Sequence, residues 1–293
     1  MITTKLALGS AQFGVDYGIN SISGQVQSKE VKDILNYARS QDIDLLDTAP
    51  AYGDSEQVLG EINVSNFKVI TKTRHFNNSK INNNDLELLK QDFTQSLVNL
   101  KQDSVYGVLV HNANDLLKPG SQALFNELNN LKRANKITKI GVSIYDYNQL
   151  QSILENFDIN LVQLPFNILD RRLIDSNMLA TLKSKGIEVH ARSVFLQGLL
   201  LMTEQSRPEK FKRWEALWKV WHEWLNDNQI TALEATIRHA ISMPEISKVL
   251  VGVDTADQLK EVVMTTLGVL PDIPTEMYTN DADLLNPSNW GKL

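Results

Sequence analysis

Four side chains in this 293-residue sequence have the types and spacing to hold charge and pass a proton together: Asp47, Tyr52, Lys72 and His111. Leu45-Leu46 runs into Asp47, Val69-Ile70-Thr71 into Lys72, and Val108-Leu109-Val110 into His111. Short apolar runs closed by turn residues read as buried strands. Pro50 and Gly53 forbid continuation of the first run, and Ser55 with Glu56 can open a helix, so Asp47 and Tyr52 fall on the loop between. A carboxylate, a phenol, an ammonium and an imidazole then stand at the ends of three successive strands, and they would meet if those strands are neighbours. Taken singly, each has a plainer use: an Asp caps a helix or pairs with a base, a Tyr anchors a loop, and a Lys is a solvated surface charge. The ordered coincidence of all four is what points to acid–base chemistry.

The elements that must position them alternate along the chain. Strands are predicted over 5–13, 45–47, 68–72, 105–111, 139–143, 161–165, 187–193 and 249–252, with amphipathic helices over 28–40, 55–60, 85–100, 122–134, 146–154, 178–185, 231–241 and 256–267. Ser28 is the expected cap of the first helix, whose Val31, Ile34, Leu35 and Ala38 share one face. Eight βα units imply an α/β fold, a single (β/α)8 TIM barrel whose chemistry lies on the loops after the strands. Gln163 is the one polar residue within the strand over 161–165, so it needs a hydrogen-bonding partner. The barrel is read as one domain over 1–293. A helical insertion at about 207–227 carries Phe211, Trp214, Trp218 and Trp221 on one face, packed on the barrel. The segment 271–293 is read as an irregular closing stretch, with Trp290 folding back. An open nucleotide-binding sheet fits less well, because Gly9, Gly14 and Gly18 lack the G-x-G-x-x-G spacing.

Composition narrows the partners. A formal charge of −6 without a basic run argues against nucleic acid and for a small molecule. The chain has no cysteine, which removes disulfides, thiolate catalysis and cysteine-held zinc. Lys5 leads at once into Leu6-Ala7-Leu8-Gly9, too short for a secretory core, and no run approaches a membrane span, so a cytoplasmic protein is expected. No His and carboxylate cluster has metal spacing. His75, His190, His222 and His239 are read as structural or surface residues.

The segment Asp47-Thr48-Ala49-x-x-Tyr52-Gly53-x-Ser55-Glu56-x-x-Leu59-Gly60 resembles the signature of the aldo-keto reductase superfamily. Ile140-Gly141-Val142-Ser143, Val162-Gln163 with Asn167, and Gly198-Leu199-Leu200 are similar to its later blocks, in the same order, over about residues 5–267. The resemblance implies an oxidoreductase that reduces a carbonyl with NADP(H) or NAD(H), without metal. Tyr52 would be the acid/base, its pKa of ~10 lowered by Lys72, which Asp47 holds charged. His111 would orient the carbonyl and help donate the proton, or stabilise the oxyanion.

For the cofactor, the resemblance implies Ser143 and Gln163, with Asn167 nearby, on the nicotinamide amide. It places Ser193, Gln197 and Gly198 along the pyrophosphate, and Gly252, Asp254, Gln258 and Glu261 at the adenosine end. The sequence departs from the family pattern in two places: Ile144 stands where Asn is common, and Arg192 where an aromatic often stacks on the nicotinamide. Asp254 and Asp257 replace the bases that favour a 2′-phosphate, so NADH is admitted beside NADPH. Gln12, Phe13, Tyr17, Arg74 and Asn112 are the candidate substrate-binding residues. Leu8-Gly9-Ser10-Ala11-Gln12-Phe13-Gly14 with Tyr17-Gly18-Ile19 is similar to a bacterial subgroup found beside surface-polysaccharide genes, which implies a sugar-derived carbonyl. Two rivals remain: a nucleotide-binding, redox-reporting protein on the same fold, and a lyase using Lys72 as a Schiff base.

Overall fold

The computed structural model describes residues 2–18 and 24–293; Ile19, cited above, lies outside them. Eight parallel strands close in sequence order: β1 (Leu6–Gly9), β2 (Leu45–Asp47), β3 (Lys68–Lys72), β4 (Val105–Val110), β5 (Ile137–Ser143), β6 (Leu161–Pro165), β7 (Glu188–Arg192) and β8 (Lys248–Val251). Leu6 pairs with Val249 and Leu8 with both Leu46 and Val251, so β1 joins the two ends of the sheet. The α/β barrel predicted from the alternation is the fold observed.

Nine helices of seven or more residues flank it among the described residues: α1 (Ser28–Ser40), α2 (Ser55–Ile62), α3 (Asn83–Leu100), α4 (Ser121–Arg133), α5 (Tyr147–Asn156), α6 (Met178–Ser184), α7 (Glu215–Asp227), α8 (Ala232–Ser242) and α9 (Ala256–Thr265). Apolar stripes set their faces. In α1, Val31, Ile34, Leu35 and Ala38 are the buried residues. Side-chain caps set several starts. Thr231 and Glu234 form a reciprocal capping box on α8, and Asn82 and Asp85 form one on α3, which therefore begins two residues before the predicted start. Ser28 is not the cap of α1; Gln27 holds that position, without a side-chain bond.

Strand β1 is shorter than predicted. It ends at Gly9, and Ala11–Gly14 makes one helical turn that folds over the loop after β2. Ser10 donates both its backbone N–H and its hydroxyl to the Asp47 carbonyl. Gly14 lies so close that a Cβ there would stand 1.8 Å from the Tyr52 carbonyl oxygen.

Two-residue alternation decides what enters the barrel. Ala7, Leu45, Ile70, Leu109, Leu161 and Leu250 form a small buried cluster of their own inside it. Two positions further along the same strands stand Gly9, Asp47, Lys72, His111, Gln163 and Gly252. The row facing inward thus changes from apolar to polar at the C-terminal rim. The larger apolar cluster holds the opposite face of the strands, including Leu46, Val69, Val108, Val162 and Val189, against the helices.

A second core lies outside the barrel. Trp218, Trp221, Trp224 and Leu225 of α7 pack with Phe211, Trp214, Met277, Leu284, Leu285 and Trp290, and with Ile168, Leu169, Leu196, Leu199 and Leu200 from the loops after β6 and β7. The closing stretch is more regular than predicted, made of short helical turns at Thr275–Met277, Ala282–Leu285 and Pro287–Lys292. Trp290 does fold back, onto Phe211 at 4.8 Å between ring centroids. Among the described residues no helix is long and apolar enough to cross a membrane.

Candidate active site

The polar rim converges on a buried ion pair. Lys72 Nζ donates to Asp47 Oδ2 at 2.6 Å and to the Thr48 carbonyl at 3.0 Å, with both side chains almost without exposure. Gln163 Nε2 donates to Asp47 Oδ1 at 2.6 Å. That bond answers the need of the single polar residue in β6. It also fixes the amide orientation, because a carboxylate only accepts, and so leaves Gln163 Oε1 to accept from another group.

Lys72 Nζ stands 4.7 Å from the centre of the Tyr52 ring, and that ring meets His111 edge-on at 6.1 Å. Burial pulls the Lys72 ammonium down, but Asp47 and Tyr52 outweigh it and the group is held above its ordinary value. For Tyr52 the balance differs from the expectation. Burial raises the phenol, Lys72 lowers it and Asp47 raises it again, so the net shift is upward. His111 is pushed down to about 3, by burial first and then by Lys72, His75 and Arg192, so it is neutral at any ordinary pH. A neutral imidazole can donate or accept a hydrogen bond but is no acid.

Asp47, Tyr52 and His111 line one end of a cavity of about 550 Å3, a volume in the range of small-molecule sites, with Lys72 buried behind them. Ser143, Gln163, Arg192, Ser193, Gln197, Gly198, Gly252, Asp254, Gln258 and Glu261 also line it, as do Gln12 and Tyr17. Asn167 does not. Its Oδ1 accepts from the Leu169 N–H beneath the rim, and it is buried there. Three expected substrate contacts are likewise not brought to the cavity. Phe13 lies wholly in the apolar core because the helical turn after β1 rotates it inward. Arg74 turns to Asp92 on α3, with bonds of 2.5 and 2.6 Å. Asn112 caps the turn that follows it, accepting from the Asn114 N–H.

The loop after β7 has an unusual backbone. Ser193, Leu196 and Gln197 adopt φ of 59°, 50° and 53°, with Gly198 at 92°. Left-handed conformations at non-glycine residues cost about 1–2 kcal/mol each, and successive turns of this kind point N–H groups into an anion-binding concavity. Gln197 Nε2 reaches the Tyr17 hydroxyl at 3.4 Å, linking the loops after β1 and β7. Across the groove, Asp254 Oδ1 is buried without a partner, and its carboxyl is raised by burial and by Asp16. Sequence reasoning missed Tyr145, whose ring stacks under the Arg192 guanidinium at 3.9 Å, and Ser10, whose hydroxyl is joined to Ser55 behind Asp47. Nothing in the local pattern marks Tyr145, since only its exposure beside β7 gives it a role.

The model of the Aldo/keto reductase family matches residues 5–272. The chain belongs to this family. Its aldo/keto reductase relatives include the NADH-specific methylglyoxal reductase of Escherichia coli strain K12, 25% identical over 68% of this chain and 66% of that protein. The L-galactose dehydrogenase of Arabidopsis thaliana is 27% identical over 89% and 85%. An aldo-keto reductase from Bacillus halodurans, in its holo form, superimposes with a TM-score of 0.70 at 18% identity, covering 93% of this chain and 89% of that one, and supports the fold. As an aldo/keto reductase the protein is an oxidoreductase of the NAD(P)H-dependent, carbonyl-reducing kind. The cavity fits that cofactor in its donor set: an amide acceptor at Gln163, a concave backbone over 193–198, and an unpartnered carboxylate at Asp254.

Proposed function

We propose that the protein reduces an aldehyde or ketone of a small, polar, sugar-derived molecule to the alcohol, with Tyr52 giving the proton. The observation that carries this reading is the Tyr52 ring set against the buried Lys72–Asp47 pair, beside a neutral His111, at the end of the cavity. The nicotinamide supplies the hydride when it is bound. As negative charge grows on the carbonyl oxygen, the Tyr52 hydroxyl gives up its proton, and Lys72 stabilises the phenolate that remains. Asp47 keeps Lys72 charged through the barrel's polar rim, and Gln163 holds Asp47 from the other side. His111 donates a neutral hydrogen bond that orients the carbonyl. A paired, ammonium-state Lys72 is a poor amine nucleophile, which disfavours the Schiff-base reading.

The polarity around Gln12, Tyr17 and His111 suits a hydroxylated substrate, and the name of the Arabidopsis relative is in line with a sugar. Asp254 suits a ribose hydroxyl better than a phosphate, and the Escherichia coli relative is named as NADH-specific, so NADH is proposed as the better donor. The test is NADH and NADPH titration followed by carbonyl-dependent oxidation of each, with aldoses and ketoses set against hydrophobic aldehydes. Tyr52→Phe should bind cofactor as wild type does and lose about 10²–10⁴ in turnover. Equal turnover removes Tyr52 from its role, and nucleotide binding without any turnover in wild type leaves the redox-reporting reading.

A further inference from the structure

The cavity holds a cation that the proton-transfer site does not use. Arg192 ends β7 at the inward-facing position above Glu188 and His190, with Pro165 as its neighbour on β6. Its guanidinium is fixed in three ways: one nitrogen donates to the Ile144 carbonyl at 2.8 Å, another reaches Ser193 Oγ at 3.3 Å, and the plane lies 3.9 Å over Tyr145. All of these partners are neutral. Arg74, Arg171, Arg172, Arg213 and Arg238 each pair with a carboxylate, whereas among the described residues Arg39, Arg133, Arg192 and Arg207 have none within ion-pairing distance, and of these four Arg192 alone lines the cavity. Two of its five N–H donors are committed to these bonds, which leaves donors for a ligand. It lines the same cavity as Tyr52 and His111.

An unpaired, half-buried guanidinium held rigid on an aromatic ring is a costly arrangement unless something negative completes it. Its planar fork matches a carboxylate or a phosphate in bidentate fashion. We infer that the substrate carries an oxyanion, a carboxylate or a phosphate, besides its carbonyl, and that Arg192 receives it while Tyr52 and His111 hold the carbonyl end. Tyr145 keeps the fork aimed into the cavity, so the pair selects anionic substrates over neutral ones of the same length. The inference rests on the carbonyl-reductase reading for its chemistry but not for its binding.

Matched pairs test it: 4-oxobutanoate against butanal for the carboxylate, glyceraldehyde 3-phosphate against glyceraldehyde for the phosphate. In wild type kcat/KM for one anionic member should exceed its neutral partner by about 10- to 100-fold. Arg192→Gln should bring that ratio close to one and Arg192→Lys should restore part of it, a pattern that loss of fold or of cofactor affinity, common to both members, does not produce. A wild-type ratio near one, or a ratio kept in Arg192→Gln, overturns the inference. Calorimetric binding of 4-hydroxybutanoate and of glycerol 3-phosphate to protein saturated with the oxidised nucleotide, which fills the backbone concavity over 193–198, decides it independently of turnover. Affinity for either that is lost in Arg192→Gln supports it, and equal affinity in the two proteins overturns it. Absence of turnover with intact anion binding would count against the proposed reaction alone.

Discussion

At the scale of single residues, the site is a contest between burial and charge. Burial raises Tyr52 and would lower Lys72, and the contacts with Asp47 and Tyr52 keep the lysine an ammonium. The same contest operates at the far end of the cavity. Asp254 is raised by burial first and then by Asp16, and with the cofactor placed as proposed an incoming 2′-phosphate would meet negative charge there. Asp254→Asn should therefore raise kcat/KM with NADPH relative to NADH by about tenfold, a difference of about 1.4 kcal/mol. Steady-state kinetics with each nucleotide checks this, and an unchanged ratio would remove Asp254 from cofactor choice. Which residues could be read from sequence follows from how local their partners are. Asp47, Tyr52, Lys72 and His111 stand out because strand ends announce themselves. Arg74 does not reveal its engagement with Asp92, and Gln163 reveals the need for a partner without naming Asp47, because both partners come from other elements.

At the scale of elements, the helical turn after β1 does more than connect. Gly14 packs directly on the Tyr52 carbonyl and on the start of α2, and Gly53 meets the Gly14 carbonyl from the other side at φ 57°. This backbone-on-backbone contact sets where the phenol stands. Gly14→Ala would push a methyl group into the Tyr52 loop, at a cost of about 1–3 kcal/mol in stability. Turnover should fall more than cofactor affinity, read by thermal melts alongside single-turnover kinetics. Wild-type turnover in that variant would mean the loop is free to shift. The same turn explains why the predicted first strand ran too long: 5–13 is apolar enough for a strand, and only the close approach of a distant loop shows that it bends after Gly9. Most other elements were legible to within one or two residues, since two- and four-residue periodicities are local properties. The cap at Asn82 moved the start of α3.

At the scale of the whole molecule, acid is the sensitive direction. His111 is held down to about 3 and His239 to about 4, both mainly by burial. Below the ordinary histidine value of ~6.5 the unfolded chain takes up protons that these folded sites refuse, so stability falls as pH falls. Glu188, at the opposite end of the barrel, is held down to about 2 against its burial by His190, Tyr106 and Lys139. Its contribution is complete above about pH 4.5 and is lost between there and about pH 2. The melting temperature should thus decline from pH 7 to pH 3, and Glu188→Gln should flatten only the lower part of that decline. A melting temperature constant between pH 7 and 5 would contradict the histidine account.

The second core has an optical consequence. All five tryptophans, Trp214, Trp218, Trp221, Trp224 and Trp290, belong to it, and none belongs to the barrel. Intrinsic emission is therefore a private signal of α7 and the closing stretch, while circular dichroism is dominated by the barrel and its helices. If the two signals lose their native values at different denaturant concentrations, the tryptophan-lined flank and the barrel are separate cooperative units. If they coincide, the loops after β6 and β7 bind them into one.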